Sequence, residues 1–232
     1  MLDLEHLAES EELFDGHYKL MYPLSTDGAT ADIWLAVDTN TVDESESDEE
    51  QGLKVAITIY RPQNALDVEG VQRFRNEFKV VFNCQHTNLL HPVHFSIYKE
   101  IPYLVLPYCK SGSCELLAGQ SQDNDAIWKF ISDVASGLNY LHTKQLQIIH
   151  QDIKPANILI DDNHNYTITD FGISIASNFC GHDTEQNSGT LAYMASERFT
   201  EGAAPIPESD IWALGATLYE LMTGNMGGMI FG

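Results

Sequence analysis

The stretch "IIHQDIKPANILI", residues 148–160, sets a polar loop between two apolar anchors. Ile148 and Ile149 lead in, Ile158, Leu159 and Ile160 lead out, and between them stand His150, Asp152, Lys154, Pro155 and Asn157. Pro155 biases Lys154 away from the helical region, and polar residues around a proline commonly mark nothing more than a surface turn. The next residues give the loop a second meaning. "ILI" (158–160) reads as a short buried strand, "DDNHN" (161–165) as a turn and "YTIT" (166–169) as an alternating strand, followed by "DFG" (170–172). A hairpin of that length returns Asp170 to the neighbourhood of Asp152 and Asn157. Two carboxylates and a carboxamide then converge, and oxygen ligands of this kind suit a hard cation such as Mg²⁺, which is usually held together with substrate phosphates.

The order H-x-D-x-K-x-x-N followed by D-F-G resembles the catalytic core of protein kinases. Further segments agree. "GTLAYMASE" (189–197) resembles the end of a kinase activation segment, with Ala195-Ser196-Glu197 where the family reads A-P-E. "SDIWALGATLYELMTG" (209–224) resembles the buried helix that opens D-x-W-x-x-G, here Asp210, Trp212 and Gly215. "YLVLPYC" (103–109) resembles the strand and hinge that join the two kinase lobes. The resemblance runs from about residue 18 to residue 224 and is similar in type to the bacterial eukaryotic-like serine/threonine kinases.

That resemblance implies roles. Asp152 is the expected base for the attacking hydroxyl, and Lys154 stands beside the transferred phosphate. Asn157 and Asp170 are the expected Mg²⁺ ligands. His150 packs the loop. Gln151 replaces an arginine that in many kinases meets a phosphorylated activation loop, so activity independent of such a phosphate is expected. The nucleotide positions implied are Gly28, Ala31, Ile33, Ala56, Thr58, Glu77, Leu106, Tyr108, Cys109 and Leu159. ATP and Mg²⁺ are the expected cofactors and a protein the expected substrate.

Three features depart from the family. "LSTDGATADIWLA" (24–36) stands at the glycine-rich phosphate loop with Gly28 as its one glycine, which leaves fewer positions free at positive φ. "VAITIY" (55–60) puts Thr58 where the family has lysine, and Glu77 follows at the family's separation. Lys54 shares the strand face of Ala56 and Thr58 but lies about 13 Å away along the strand. Threonine cannot neutralise phosphate charge, and losing one preorganised electrostatic group costs roughly 10²–10³ in rate. The third departure is the ending "GNMGGMIFG" (224–232), which reads as a truncated C-terminal lobe. On that reading Glu197 lacks an arginine partner, and the face of Leu214, Leu218 and Leu221 loses cover.

The chain of 232 residues carries a net charge of −22, which argues against nucleic acid and anionic membranes as partners. "DESESDEE" (43–50) contributes six acids in eight residues and reads as a solvated loop between strands. No run of eighteen apolar residues and no basic-then-apolar start occurs, so neither membrane insertion nor secretion is expected. Four cysteines without a C-x-x-C pair fit reduced thiols in a cytoplasmic protein. Nothing specifies oligomeric state.

Strand-like runs at 18–24, 31–37, 53–60, 93–98 and 102–106 surround a helix over 67–82 with Val71, Phe74, Phe78 and Val81 on one face. A second helix over 123–141 carries Ile127, Phe130, Ile131, Val134, Leu138 and Leu141, with Asp123 as its N-cap. The expected fold is α+β and two-lobed. An acidic lead-in (1–17) precedes an antiparallel sheet lobe with one main helix (18–106) and a mostly helical, incomplete lobe (107–232). Three functions fit. The first is an ATP-dependent protein serine/threonine kinase, possessing Asp152, Lys154, Asn157 and Asp170. The second is a pseudokinase binding or scaffold module, suggested by Thr58. The third is a small-molecule kinase of the aminoglycoside type, against which the activation-segment and D-x-W-x-x-G motifs count.

Overall fold

The computed structural model describes residues 2–10, 12–26, 31–41, 52–62, 68–144, 147–170, 190–200 and 203–225, with the backbone alone at 73, 76, 77, 80, 81 and 190. Gly28 and the acidic run 43–50 lie outside the described residues, as do the side chains of Glu77 and Val81. The chain divides into two compact units, Met1–Asn83 with His91–Tyr108, and Cys84–Leu90 with Cys109–Gly232.

The first unit is a five-stranded antiparallel sheet in the order β1-β2-β3-β5-β4. Its strands are β1 (Tyr18–Ser25), β2 (Ala31–Asp38), β3 (Leu53–Tyr60), β4 (His94–Tyr98) and β5 (Ile101–Pro107). Period-two alternation sorts β3: Val55, Ile57 and Ile59 are buried, while Ala56 and Thr58 are half-buried. The register extends this sorting across the sheet. Ile57 pairs with Trp34 and Val105, and Ile59 with Tyr103, so these residues form one face and one apolar core. The other face carries Phe95 and Tyr60, against which helix α2 (Val68–Phe82) lays Phe78 and Phe74, with ring centroids 4.3 and 5.5 Å apart respectively. α2 thus turns Phe74 and Phe78 of the expected stripe to the sheet.

The acidic lead-in is part of this core. A short helix α1 (Leu4–Glu9) starts at Asp3, whose side chain accepts the His6 amide at 2.9 Å. Leu7 and Phe14 are buried, and Phe14 meets Tyr98 and Tyr103 edge-on at 4.9 and 4.8 Å. Tyr103 donates its hydroxyl to the Asp15 carboxylate. The segment lies against the sheet because its apolar residues Leu2, Leu4, Leu7, Ala8 and Phe14, not the surrounding acids, decide where it packs.

The second unit contains helix α3 (Asn124–His142), the hairpin β6 (Ile158–Ile160) and β7 (Tyr166–Ile168), and helix α4 (Pro207–Thr223). Asp123 caps α3 by accepting the Ala126 amide at 2.8 Å, and Phe130, Val134, Leu138 and Leu141 form its buried stripe. α3 packs against β7 and α4. Two expected limits move. Residues 84–90 belong with this unit, because Leu89 bridges Ile168 and the Asn88 carbonyl accepts the Ile168 amide at 2.9 Å. The first unit also extends past 106, to Tyr108. Leu214 and Leu221 are buried rather than uncovered. Leu218 and Leu221 share an apolar recess with Leu117, Phe130 and Tyr166, and Gly119 donates its amide to the Leu221 carbonyl at 3.0 Å. Among the described residues no helix is long and apolar enough to cross a membrane.

Candidate active site

The loop between α3 and β6 is anchored by its apolar residues. Ile148, Ile149 and Ile153 are buried, and the Ile148 amide donates to the Leu141 carbonyl at 3.1 Å. This burial draws the intervening polar groups inward, where each must find a partner. His150 is fully buried. Its Nδ1 accepts the Asp152 amide at 3.3 Å, so Nε2 carries the ring hydrogen and donates to the Thr169 carbonyl at 3.0 Å. His150 therefore joins the loop to the end of the hairpin, the packing role read from the sequence.

Asp152 is the convergence point. Its Oδ2 accepts from Lys154 Nζ at 2.8 Å and from Asn157 Nδ2 at 2.8 Å, and Asn157 Nδ2 also reaches the Asp152 carbonyl at 2.8 Å. Its Oδ1 is buried and has no hydrogen-bond partner among the described residues. A buried carboxylate oxygen held by its neighbours and left open is an acceptor awaiting a donor. The bonds from Asn157 use its amide nitrogen, which leaves its Oδ1 as the oxygen available to a cation.

The hairpin brings up Asp170 as its spacing predicts. The Thr169 amide donates to the Asn157 carbonyl at 2.9 Å, so Asp170 follows one residue after a direct link to Asn157. Asp170 is exposed and takes a left-handed backbone at φ 60, which aspartate tolerates better than most residues. Among the described residues no group of three acids, histidines or cysteines forms a metal cage. One carboxylate and one carboxamide oxygen fit Mg²⁺, which takes few protein ligands and keeps phosphate oxygens and waters.

The implied nucleotide positions divide between the units. In the first, Ile33 pairs with Thr58 and Thr58 with Leu104; Ala56 pairs with Leu35 and Leu106; Ala31 pairs with Tyr60. Ala31, Ile33, Ala56, Thr58 and Leu106 therefore share the sheet face opposite the Trp34–Ile57 core, with Tyr108 just beyond β5. Lys54 lies at the exposed far end of β3. In the second unit, the Cys109 carbonyl accepts the Gly112 amide at 3.0 Å, and Leu159 bridges Ser113.

The protein kinase domain family matches residues 44–227. The chain belongs to that family. Among curated relatives, CBL-interacting serine/threonine-protein kinase 10 of Arabidopsis thaliana is 29% identical over 74% of this chain and 36% of its own length. CBL-interacting serine/threonine-protein kinase 2 of the same plant is 30% identical over 74% of this chain and 38% of its own. L-type lectin-domain containing receptor kinase V.5, also from Arabidopsis thaliana, is 32% identical over 68% and 25%. The chain thus spans roughly a quarter to two-fifths of the length of these relatives.

Within this kinase domain, the support beneath the loop comes from Asp210, which the sequence showed as a motif residue but not as the anchor of this loop. Asp210 on α4 is fully buried. Its Oδ2 accepts the His150 amide at 2.8 Å and His142 Nε2 at 2.8 Å, and its Oδ1 accepts the Gln151 amide at 2.7 Å. Gln151 sits at φ 70, a left-handed conformation held by that carboxylate. The available signal was an acid in the first turn of a largely apolar helix, since a buried carboxylate is costly unless it is bonded.

Proposed function

We propose that this domain transfers the γ-phosphoryl group of ATP to serine or threonine hydroxyls of proteins, in the manner of the bacterial eukaryotic-like kinases its motifs resemble. The observation that carries the reading is the open, buried Oδ1 of Asp152, fixed by Lys154 and Asn157 through the other oxygen. A substrate hydroxyl placed there donates its proton to Oδ1 as its oxygen attacks the γ-phosphorus, and the bond to the β–γ bridging oxygen breaks to release ADP. Lys154 holds Asp152 in place and sets a positive charge beside the transferred group. Asn157 Oδ1 and the Asp170 carboxylate would hold Mg²⁺, which when bound cancels phosphate charge. Ala31, Ile33, Ala56 and Leu106 offer a small, apolar surface to a flat base in the first unit; the resemblance also assigns Gly28, Thr58, Glu77 and Tyr108, and in the second unit Cys109 and Leu159, to nucleotide binding. The partners are ATP and a protein, and the protein works in the cytoplasm, consistent with Cys84, Cys109 and Cys114 as free buried thiols.

The metal assignment is tested by nucleotide affinity. Asp170→Ala should remove the Mg²⁺-dependent part of ATP binding while leaving the metal-free affinity within a few-fold. An ATP affinity that rises with Mg²⁺ as steeply in the variant as in the wild type removes Asp170 from that role.

A further inference from the structure

Arg198 stands apart from the other groups around Asp152. It lies in the helical turn Ser196–Phe199, half-buried, and Nη2 donates to Gln151 Oε1 at 3.0 Å. Among the described residues it pairs with no carboxylate, in a chain with 34 acids and 12 bases. The adjacent acids are occupied: Glu197 Oε1 accepts the Ser209 hydroxyl at 2.9 Å, and both Asp210 oxygens are taken by the loop and His142. A guanidinium carries five donors in a rigid fork, and here one of them meets a neutral amide.

The place of this fork matters. Arg198, Gln151, Tyr193 and Ala195 line the recess that Asp152 also lines. A hydroxyl delivered to Asp152 brings its flanking side chains to that recess, since neighbouring residues along an extended chain are only about 3.3 Å apart. We propose that Arg198 is a specificity residue, binding a carboxylate side chain directly beside the acceptor serine or threonine. Gln151 makes this possible, because its amide oxygen aims the guanidinium without neutralising it. An arginine at 151 would repel Arg198 instead.

The net charge of −22 pulls the other way, towards basic peptides. The two effects act at different ranges. Exposed charges are screened beyond about 8 Å at physiological salt, whereas a forked contact in a partly buried recess is not. The expected substrate therefore carries an acid next to the acceptor, with basic residues tolerated or favoured further out.

This inference rests on the protein kinase reading, and binding and transfer separate the two. The full chain is titrated by calorimetry with serine peptides that differ only in having Glu or Gln beside the serine, on either side. The same peptides are then offered with radiolabelled Mg·ATP. A Glu peptide should bind about tenfold more tightly than its Gln counterpart. Arg198→Glu should reverse that order in favour of a Lys peptide, while Arg198→Lys keeps part of the preference. Equal binding of the Glu and Gln peptides to the wild type, no binding of either, or a preference that survives Arg198→Glu overturns the proposal. The wild-type comparison decides even if a variant does not fold. Selective binding without label transfer upholds the Arg198 assignment and counts against the catalytic reading.

Discussion

Thr58 puts a neutral hydroxyl on the sheet face that Ala31, Ile33, Ala56 and Leu106 share, between Ile33 and Leu104. It is the sharpest departure from the family, and it defines the pseudokinase alternative. If one missing charge limits the enzyme, Thr58→Lys should raise turnover on the order of 10²-fold. Unchanged turnover in a folded, ATP-binding variant would mean that the first unit lost more than one group. The residues around Asp152 were legible in advance because their spacing encodes the hairpin: Asn157 opens it, Thr169 closes it, and a 2.9 Å bond joins them. Asp210 was not legible as a loop anchor. It lies about 60 residues further along, and nothing local shows which backbone amides a buried carboxylate will take.

At the scale of elements, α3 was read with nearly its full length because a 3.6-residue stripe and an N-cap leave little freedom. Its close approach to a neighbour was not visible. A Cβ on Gly137 would stand 2.9 Å from the Asn88 carbonyl oxygen and 3.0 Å from Ile168 Cδ1. Backbone cannot yield as a side-chain tip can, so Gly137→Ala should cost about 1–3 kcal/mol and lower Tm by several degrees. Gly215, on α4, meets nothing within 4 Å. Gly215→Ala should leave Tm unchanged or raise it, since alanine favours helix by up to about 1 kcal/mol. Thermal unfolding of the two variants side by side checks both signs. α1 escaped the sequence reading for the opposite reason: six residues are too few to show a period.

Across the whole molecule, two compact units account for the α+β reading, and the composition adds a pH dependence that the motifs do not show. In the second unit, burial, then the carboxylates of Asp161 and Asp162, push the Cys109 thiol from 9.0 up to about 11. Burial pushes Cys114 up to about 12. The folded state keeps these protons while the unfolded chain releases its own near the ordinary thiol value. The stability is thus fully present below about pH 9 and is lost as pH rises towards 11 and 12. Cys109 alone should account for about 1 kcal/mol lost between pH 8 and pH 10. Urea midpoints at those two values should differ less in Cys109→Ala than in the wild type, and an equal loss in both would remove the thiol as the cause. The central claim is catalytic, and one measurement reaches it most directly: label transfer from γ-radiolabelled Mg·ATP to a mixed protein substrate, followed by phosphoamino acid analysis, for the wild type and Asp152→Asn. Label on serine or threonine that disappears in Asp152→Asn, with ATP affinity held within a few-fold, is the predicted result; no label from the folded, ATP-binding wild type, or label that survives the substitution, would contradict it.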